Sequence, residues 1–340
     1  MFDGLPPTQE SHRGESRTLA ANCTKSKKRG VSIDPRSSGD YFAREGSLLA
    51  TGVRWYNNWN VTSQNATAFS RLAFMPMVWS RYGATHWLQA IQPPPTPGGP
   101  GSILLGFNEP NGQMQANMTP QVAASVWGGV LDRAKELDFK LASPSPTKKG
   151  YPAALLSGIV WLQQFFAEAD QLYNTTNAGV HYINMHSYDC NIATVKDRID
   201  LVSATFNDTR VIISEVGCAA AKLAGNATMM MDFMQQVVPM LEAHPRVAYY
   251  SWFNGLEKYA VSPASSSLFS RKNKLSALGL EYTKCVPKPQ PATPPPTSAP
   301  TVVATQNPQA DAILPSASEP SGSILFQHPR EVQCLLDLRC

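Results

Sequence analysis

The sequence predicts an α/β fold of the (β/α)8 TIM barrel type. Eight short apolar runs alternate with helical patterns over about 255 residues, which is the strand count and length of such a barrel. An open doubly wound sheet would want a glycine-rich phosphate turn after an early strand, and GxGxxG is absent. The runs are RGVSI, GVRWY, LAFMPMVW, SILLGF, FKLAS, HYINMHSY, RVIISEV and VAYYSWF. Strands buried on both faces read as near-continuous apolar stretches, and these do.

The helices follow in order. Thr119-Pro120 opens one, with a threonine N-cap and a proline at the first helical position, ahead of AASVWGGVLDRAKEL. LSGIVWLQQFFAEADQLY, ATVKDRIDLVSATF and ATMMMDFMQQVVPMLEAH carry the others, and Met229 to Met231 read as core filler. Residues 1–28 are polar and irregular and read as a disordered N-terminal segment. Residues 29–285 are the barrel, and 286–340 read as a disordered tail rich in Pro, Ser and Thr.

Hydrophobic residues make up 43% and charged residues 16% of the 340, which describes a globular core with a lightly charged surface. A net charge of +4 without a basic stripe gives nucleic-acid binding no support. The basic cluster KSKKR, Lys25 to Arg29, reads as a solvated arm. No apolar run reaches the ~18 residues of a membrane span, and no signal-peptide core is evident near the N-terminus. Seven Asn-x-Ser/Thr sequons begin at Asn22, Asn60, Asn65, Asn117, Asn174, Asn207 and Asn226. Chance would give about two or three. The expectation is therefore an extracellular or cell-wall protein whose N-terminus is truncated or misassigned.

The six cysteines show no CxxC and no zinc-ligand spacing, and the histidines show no HExxH, so disulfides are expected and no metal or other cofactor. Cys190 and Cys218 follow neighbouring strands by a similar offset, and Cys23 and Cys285 bracket the barrel; each pair is a candidate bridge.

In a barrel of this kind the chemistry sits at the C-terminal ends of the strands. Strand two runs into Trp55, Tyr56, Asn57, Asn58 and Trp59, strand three ends at Trp79, and strand four ends at Asn108-Glu109. Strand five ends in Ser143, strand six in His186, Ser187, Tyr188 and Asp189, strand seven at Glu215, and strand eight at Trp252 and Asn254. Aromatic faces and amides suit sugars, whose C–H faces stack on rings and whose hydroxyls need donors and acceptors. Two glutamates suit glycoside hydrolysis: one protonates the leaving oxygen while the other attacks the anomeric carbon, and carboxyls about 5–5.5 Å apart give retention. The acid needs a raised pKa, and the nucleophile needs donors that keep it ionised. Asp34 and Asp189 read as structural hydrogen-bond partners.

LLGFNEPN and VIISEVGC resemble the two catalytic strands of clan A glycoside hydrolases. With KRGVS, VRWYNNW, FMPMVW, KLASPSPT, WLQQFF, INMHSY and LSALGLEY in order, residues 29–283 resemble glycoside hydrolase family 128, the wall-associated β-1,3-glucanases. That resemblance implies a retaining endo-β-1,3-glucanase with Glu109 as acid/base and Glu215 as nucleophile; a monomer acting on β-1,3-glucan or a related polysaccharide is expected. It implies that Asn108 holds the sugar 2-hydroxyl, that Tyr188 hydrogen-bonds the nucleophile with His186 beside it, that Trp252 floors the subsite of bond cleavage, and that Trp55, Asn58 and Trp79 line further glucose subsites. This chain departs from the family pattern at Ser187, where a Trp is usual, at Asp189, where a Gly is common, and in SWFNG. Three alternatives stay open: a clan A enzyme acting on mannan or xylan, transglycosylation, and a catalytically silent carbohydrate-binding or wall protein.

Overall fold

Every one of the eight apolar runs contributes extended chain. The computed structural model describes residues 23–33, 45–63, 69–95, 97–148, 157–223, 225–255, 266–270 and 274–287. The expected disordered segments fall almost wholly outside these residues, as does Asp34. The described residues belong to a compact unit, Met1–Lys288; a second unit, Pro289–Cys340, lies outside them.

In chain order the strands are β1 (Cys23–Thr24), β2 (Arg29–Ser32), β3 (Trp55–Asn57), β4 (Ala73–Phe74), β5 (Ile103–Leu104), β6 (Lys140–Leu141), β7 (Ile183–Ser187), β8 (Val211–Val216) and β9 (Val247–Trp252). Two short antiparallel pairs complete the set: β10 (Phe269–Ser270) with β11 (Lys274–Leu275), and β1 with β12 (Val286–Pro287). The helices are α1 (Glu45–Leu49), α2 (Arg81–His86), α3 (Pro120–Glu136), α4 (Gly158–Tyr173), α5 (Ile192–Thr205), α6 (Ala219–Leu223), α7 (Ala227–Ala243) and α8 (Ala277–Tyr282). The fold is α/β with a central six-stranded parallel sheet in the order β4-β3-β2-β9-β8-β7. β5 and β6 form a separate parallel pair. Parallel bridges Met77↔Leu105 and Ala142↔Tyr182 run from that pair toward the β4 and β7 ends of the sheet.

Alternation along each strand sorts side chains into two layers. Leu104 and Phe107 join the large cluster that includes Trp127, Trp161 and Phe165 of the helices. Ile103 and Leu105 join a smaller cluster with Trp55, Met75, Met77, Ile212 and Ala248. A buried polar group is built from Ser32, Asn57, Ser214 and Ser251. Ser32 Oγ lies 2.6 Å from Ser251 Oγ, donates to Ser214 O at 2.6 Å, and accepts from Asn57 Nδ2 at 2.9 Å.

Short polar side chains start the helices by accepting orphan backbone N–H groups. Thr119 accepts from Val122 N at 3.2 Å, Asn191 from Thr194 N at 3.0 Å, and Asn226 from Met229 N at 2.9 Å.

Within the basic stretch, Lys28 and Arg29 correct the expectation of a solvated arm, while Lys27 is exposed. Lys28 Nζ donates to the carbonyls of Leu241, Glu242 and His244 at 3.2, 2.8 and 2.9 Å, capping the C-terminal end of α7 with a cation. Arg29 is buried and donates to Tyr250 Oη, Lys284 O and Glu242 Oε1 at 3.0, 2.8 and 3.1 Å. A buried guanidinium is tolerated only with such partners. Of the three methionines read as core filler, Met230 is buried and Met229 is exposed.

Candidate active site

The site begins with a break in strand register. β7 and β8 pair evenly from Ile183↔Val211 to Met185↔Ile213 and then shift, so that His186 faces Glu215. Ser214 is the extra residue. Such irregularities re-aim side chains beside active sites.

Glu109 is placed by a different device. It follows the bridge Asn108↔Ser145 and has φ 42°, a left-handed conformation rarely taken by a residue with a side chain. The turn is held from several sides. Glu109 N donates to Ser145 O at 3.2 Å, Gly112 N to Glu109 O at 2.9 Å, and Met118 N to Pro110 O at 2.8 Å. Asn111 ties it to the chain after β6, donating to Thr147 O at 3.1 Å and accepting from Thr147 N at 2.8 Å. A backbone outlier held this firmly is typical of functional sites.

The two carboxylates and a histidine converge. Glu109 and Glu215 are each 5% exposed, and Glu109, His186 and Glu215 offer ligand atoms that all lie within 4.8 Å of one another. His186 Nδ1 lies 2.9 Å from Glu109 Oε1 and 3.3 Å from Glu215 Oε2. The Tyr188 hydroxyl donates to Glu215 Oε2, and Trp59 Nε1 donates to Glu215 Oε1 at 2.6 Å. These three groups have the spacing of a cation site, and here the His186 Nδ1 atom already lies within 3.3 Å of both carboxylates.

Burial raises the Glu215 carboxyl above the ordinary range, and the Glu109 charge pushes the same way; His186, Tyr188 and Trp59 oppose the rise. Burial disfavours the His186 imidazolium, but the Glu215 and Glu109 carboxylates outweigh it and raise the histidine, with the Arg198 guanidinium opposing. Burial and then the Glu215 charge push Tyr188 well up, so it stays a donor.

The other expected residues divide. Asn108 is buried; its Nδ2 donates to Gln115 Oε1 at 3.2 Å, while its Oδ1 has no hydrogen-bond partner among the described residues. His186 Nε2 is likewise buried without one. Trp79 is half-buried at its strand end, where its carbonyl accepts from Asn108 N at 2.9 Å. Asn58 is buried and spends its amide on the local turn, donating to Thr62 O at 2.9 Å and accepting from Asn60 N at 3.1 Å.

Three residues require correction. Trp55 is fully buried near the start of its strand, donates Nε1 to Lys28 O at 2.9 Å and packs edge-on against Tyr249, so it lines no subsite. Trp252 is fully buried against Phe233 and Tyr282 and donates Nε1 to Ser266 O at 2.7 Å, which puts it in the helix-facing layer. Its neighbour Phe253 stands edge-on to both Tyr188 and Trp59, at 5.4 and 5.9 Å between centroids. Trp59 and Tyr188 are thus the aromatics on Glu215, and Phe253 backs both. Strand alternation does not find Trp59 or Phe253: Trp59 lies four residues beyond Trp55 and shares its cluster, and the β8–β9 register ahead of Phe253 is irregular. Asn58, third, serves a turn rather than an open subsite. Ser187 is fully buried within β7 and offers no platform.

Cys190 and Cys218 are disulfide-bonded, joining the chain after β7 to the chain after β8. Cys285 is also disulfide-bonded. β1 pairs with β12 in the register Thr24↔Val286, while the Cys23 side chain lies outside the described residues. Asp189 pairs with Lys148 at 3.3 Å.

Two facing buried carboxylates on an α/β scaffold, one clamped by hydrogen-bond donors, define a glycoside hydrolase site. The glycosyl hydrolase catalytic core family matches residues 38–282, and the chain belongs to that family. Its motif resemblance to glycoside hydrolase family 128 agrees with solved structures. A subgroup II endo-β-1,3-glucanase of that family from Pseudomonas viridiflava is 25% identical, with a TM-score of 0.60 over 78% of this chain and 100% of its own. In fold alone, the chain is similar to a subgroup VI exo-β-1,3-glucanase from Aureobasidium namibiae (20% identity, TM-score 0.61, 76% and 97% of the two chains). It is likewise similar in fold to a subgroup I endo-β-1,3-glucanase from Amycolatopsis mediterranei in complex with laminaritriose (22% identity, TM-score 0.56, 76% and 98%). No curated protein matches the chain.

Proposed function

We propose that this glycoside hydrolase is a retaining endo-β-1,3-glucanase, acting as a monomer on cell-wall glucan. The observation that carries the reading is the pairing of Glu109 and Glu215 across His186, with ligand atoms within 4.8 Å. That spacing suits direct attack rather than an intervening water. Glu109 protonates the glycosidic oxygen as Glu215 bonds to the anomeric carbon. Water then enters, Glu109 takes its proton, and the glycosyl-enzyme bond breaks with net retention. The donors from Trp59 and Tyr188 act on the nucleophile, where negative charge must be held until attack. The substrate assignment draws on the endo-β-1,3-glucanase from Pseudomonas viridiflava.

The scaffold reading is a (β/α)8 barrel. It is supported by the bridges Met77↔Leu105 and Ala142↔Tyr182, which fall where β5 and β6 would complete the ring. Secretion and N-glycosylation are supported by the disulfide Cys190–Cys218 and by exposed sequon asparagines at Asn117, Asn174, Asn207 and Asn226.

The test is incubation with linear β-1,3-glucan, read as released oligosaccharides and as the anomer first formed, alongside Glu109→Gln and Glu215→Gln. Internal cleavage with a β product, lost in both folded variants, is expected. An active Glu215→Gln enzyme or an α first product defeats the mechanism. Cleavage of mannan or xylan in place of β-1,3-glucan defeats the substrate assignment.

A further inference from the structure

A cavity of about 520 Å³ lies away from the two glutamates. Its lining includes Lys25 and Lys27 before β2, Arg54 before β3, Arg71 before β4, and the loop Gly98–Gly101 before β5. These positions precede their strands, whereas Glu109 and Glu215 lie at or beyond the later parts of theirs. The cavity therefore belongs to the opposite end of the strands.

Four cations surround this space, and none of the described residues lining it is acidic. Lys27, Arg54 and Arg71 are exposed, and among the described residues none of the four cations has an ion-pair partner. Arg54 Nε is spent on Ser26 O at 3.2 Å, leaving the far end of its guanidinium. Lys25 is pushed below the ordinary lysine range, by burial first and then by the Arg54 charge. Like charges gathered in one concavity repel one another, and their summed field concentrates anions. A chain with a net charge of only +4 has no compositional need to gather them here.

The remaining wall narrows the ligand. Tyr249 adds a half-buried aromatic face, and its phenol is pushed up by burial, so it stays a neutral donor. Gly98, at φ 79°, lets the loop turn, and a Cβ there or at Gly99 would meet nothing within 4 Å, so the backbone borders open space. The volume falls in the ~300–1,000 Å³ range of small-ligand sites. Arginine forks match carboxylates, and an aromatic face suits the C–H face of a sugar.

We propose that this cavity is a second glycan site, for a short acidic oligosaccharide whose uronate carboxylates pair with Lys27, Arg54 and Arg71. The proposal does not rest on the hydrolytic reading, because its test reads binding alone.

The test is isothermal titration calorimetry of the full chain with tetragalacturonate at low salt, against its fully methyl-esterified form as a neutral counterpart. Binding should be seen with the acid only and should weaken as salt rises. The Lys27→Gln/Arg71→Gln variant should lose about tenfold or more in affinity, as two charge-assisted contacts go. Arg71→Lys should lose less, and Lys196→Gln, a cation elsewhere on the surface, should change nothing. Equal binding of the ester, or an unchanged affinity in a double variant with native circular dichroism, overturns the site. Displacement of the oligosaccharide by an equal concentration of inorganic phosphate overturns the assignment to an acidic sugar.

Discussion

Trp59 Nε1 donates to Glu215 Oε1 at 2.6 Å while the Tyr188 hydroxyl donates to the other oxygen of the same carboxylate. The indole is delivered by a residue at φ 58°, inside a turn that Asn58 ties to Thr62 and Asn60. Phe253 closes edge-on against both donors. Glu215 is thus oriented through both of its oxygens.

Replacing the indole by a ring without a donor isolates that contact. Trp59→Phe removes one of the interactions that oppose the rise in Glu215, so the carboxyl moves further up. A higher pKa leaves less nucleophile ionised on the acid side, and the acid limb of the pH–rate profile shifts to higher pH. A hydrogen bond to a charged group contributes about 1.5–3 kcal/mol, so kcat should fall roughly tenfold to a hundredfold. KM should move little. An unshifted acid limb would count against the role.

The pair Glu215 and His186 also links the site to stability. Both groups are raised by folding. For the carboxyl, a raised value means stability present below its unfolded pKa, near ~4.3, and lost as pH rises through the folded one. For the imidazole, the contribution is full below ~6.5 and lost as pH rises through its own folded value. The two act in the same direction. Glu215→Gln removes the first and weakens the second, because the Glu215 charge is the largest influence raising the histidine. Urea unfolding from pH 4 to 8 should therefore show the variant gaining on the wild type as pH rises. A difference that does not change with pH refutes this coupling.

The strand runs were legible because parallel strands buried on both faces leave uninterrupted apolar segments, as in VIISEV of β8. The Thr119-Pro120 start of α3 was legible because capping is local chemistry. The convergence of Glu109, His186, Tyr188 and Glu215 followed from reading what ends each strand. The aromatics were not legible in the same way. Trp55 and Trp59 are four residues apart, and the turn at Trp59, with its left-handed backbone, decides which reaches Glu215. Irregular register between β8 and β9 leaves Trp252 toward the helices and Phe253 toward the site. Arg29 misled because charge runs are usually solvated, whereas Glu242 and Tyr250, more than 200 residues away, supply its partners.

The bridge Cys190–Cys218 closes a loop with a sequence separation of 28. The loop-entropy account assigns a closure of that size about 3–4 kcal/mol. The loop includes β8, and its ends flank the site: Ala219 N donates to Tyr188 O at 3.2 Å, and Gly217 N to Ser187 O at 3.0 Å. Cys190→Ala/Cys218→Ala should lower the unfolding free energy by about that amount in chemical denaturation. Activity should fall less than stability, because those backbone bonds survive the change. No stability loss under non-reducing conditions would show that the bridge adds no constraint.

Arg29 and Glu242 form an ion pair at 3.1 Å, with side chains only 3% and 11% exposed. Tyr250 Oη completes the cluster, accepting from Arg29 Nε at 3.0 Å and donating to Glu242 Oε1 at 2.6 Å. Arg29→Met leaves Glu242 buried beside a tyrosine and without its cation, and breaking a buried pair from one side costs about 3–5 kcal/mol. Arg29→Met/Glu242→Gln removes the orphaned charge and should recover part of that loss. A double-mutant cycle in urea should then give a coupling energy well above the ~0–1 kcal/mol of an exposed pair. A coupling no larger than that would mean that Arg29 acts through its bonds to the carbonyls of Tyr282 and Lys284 rather than through its charge partner.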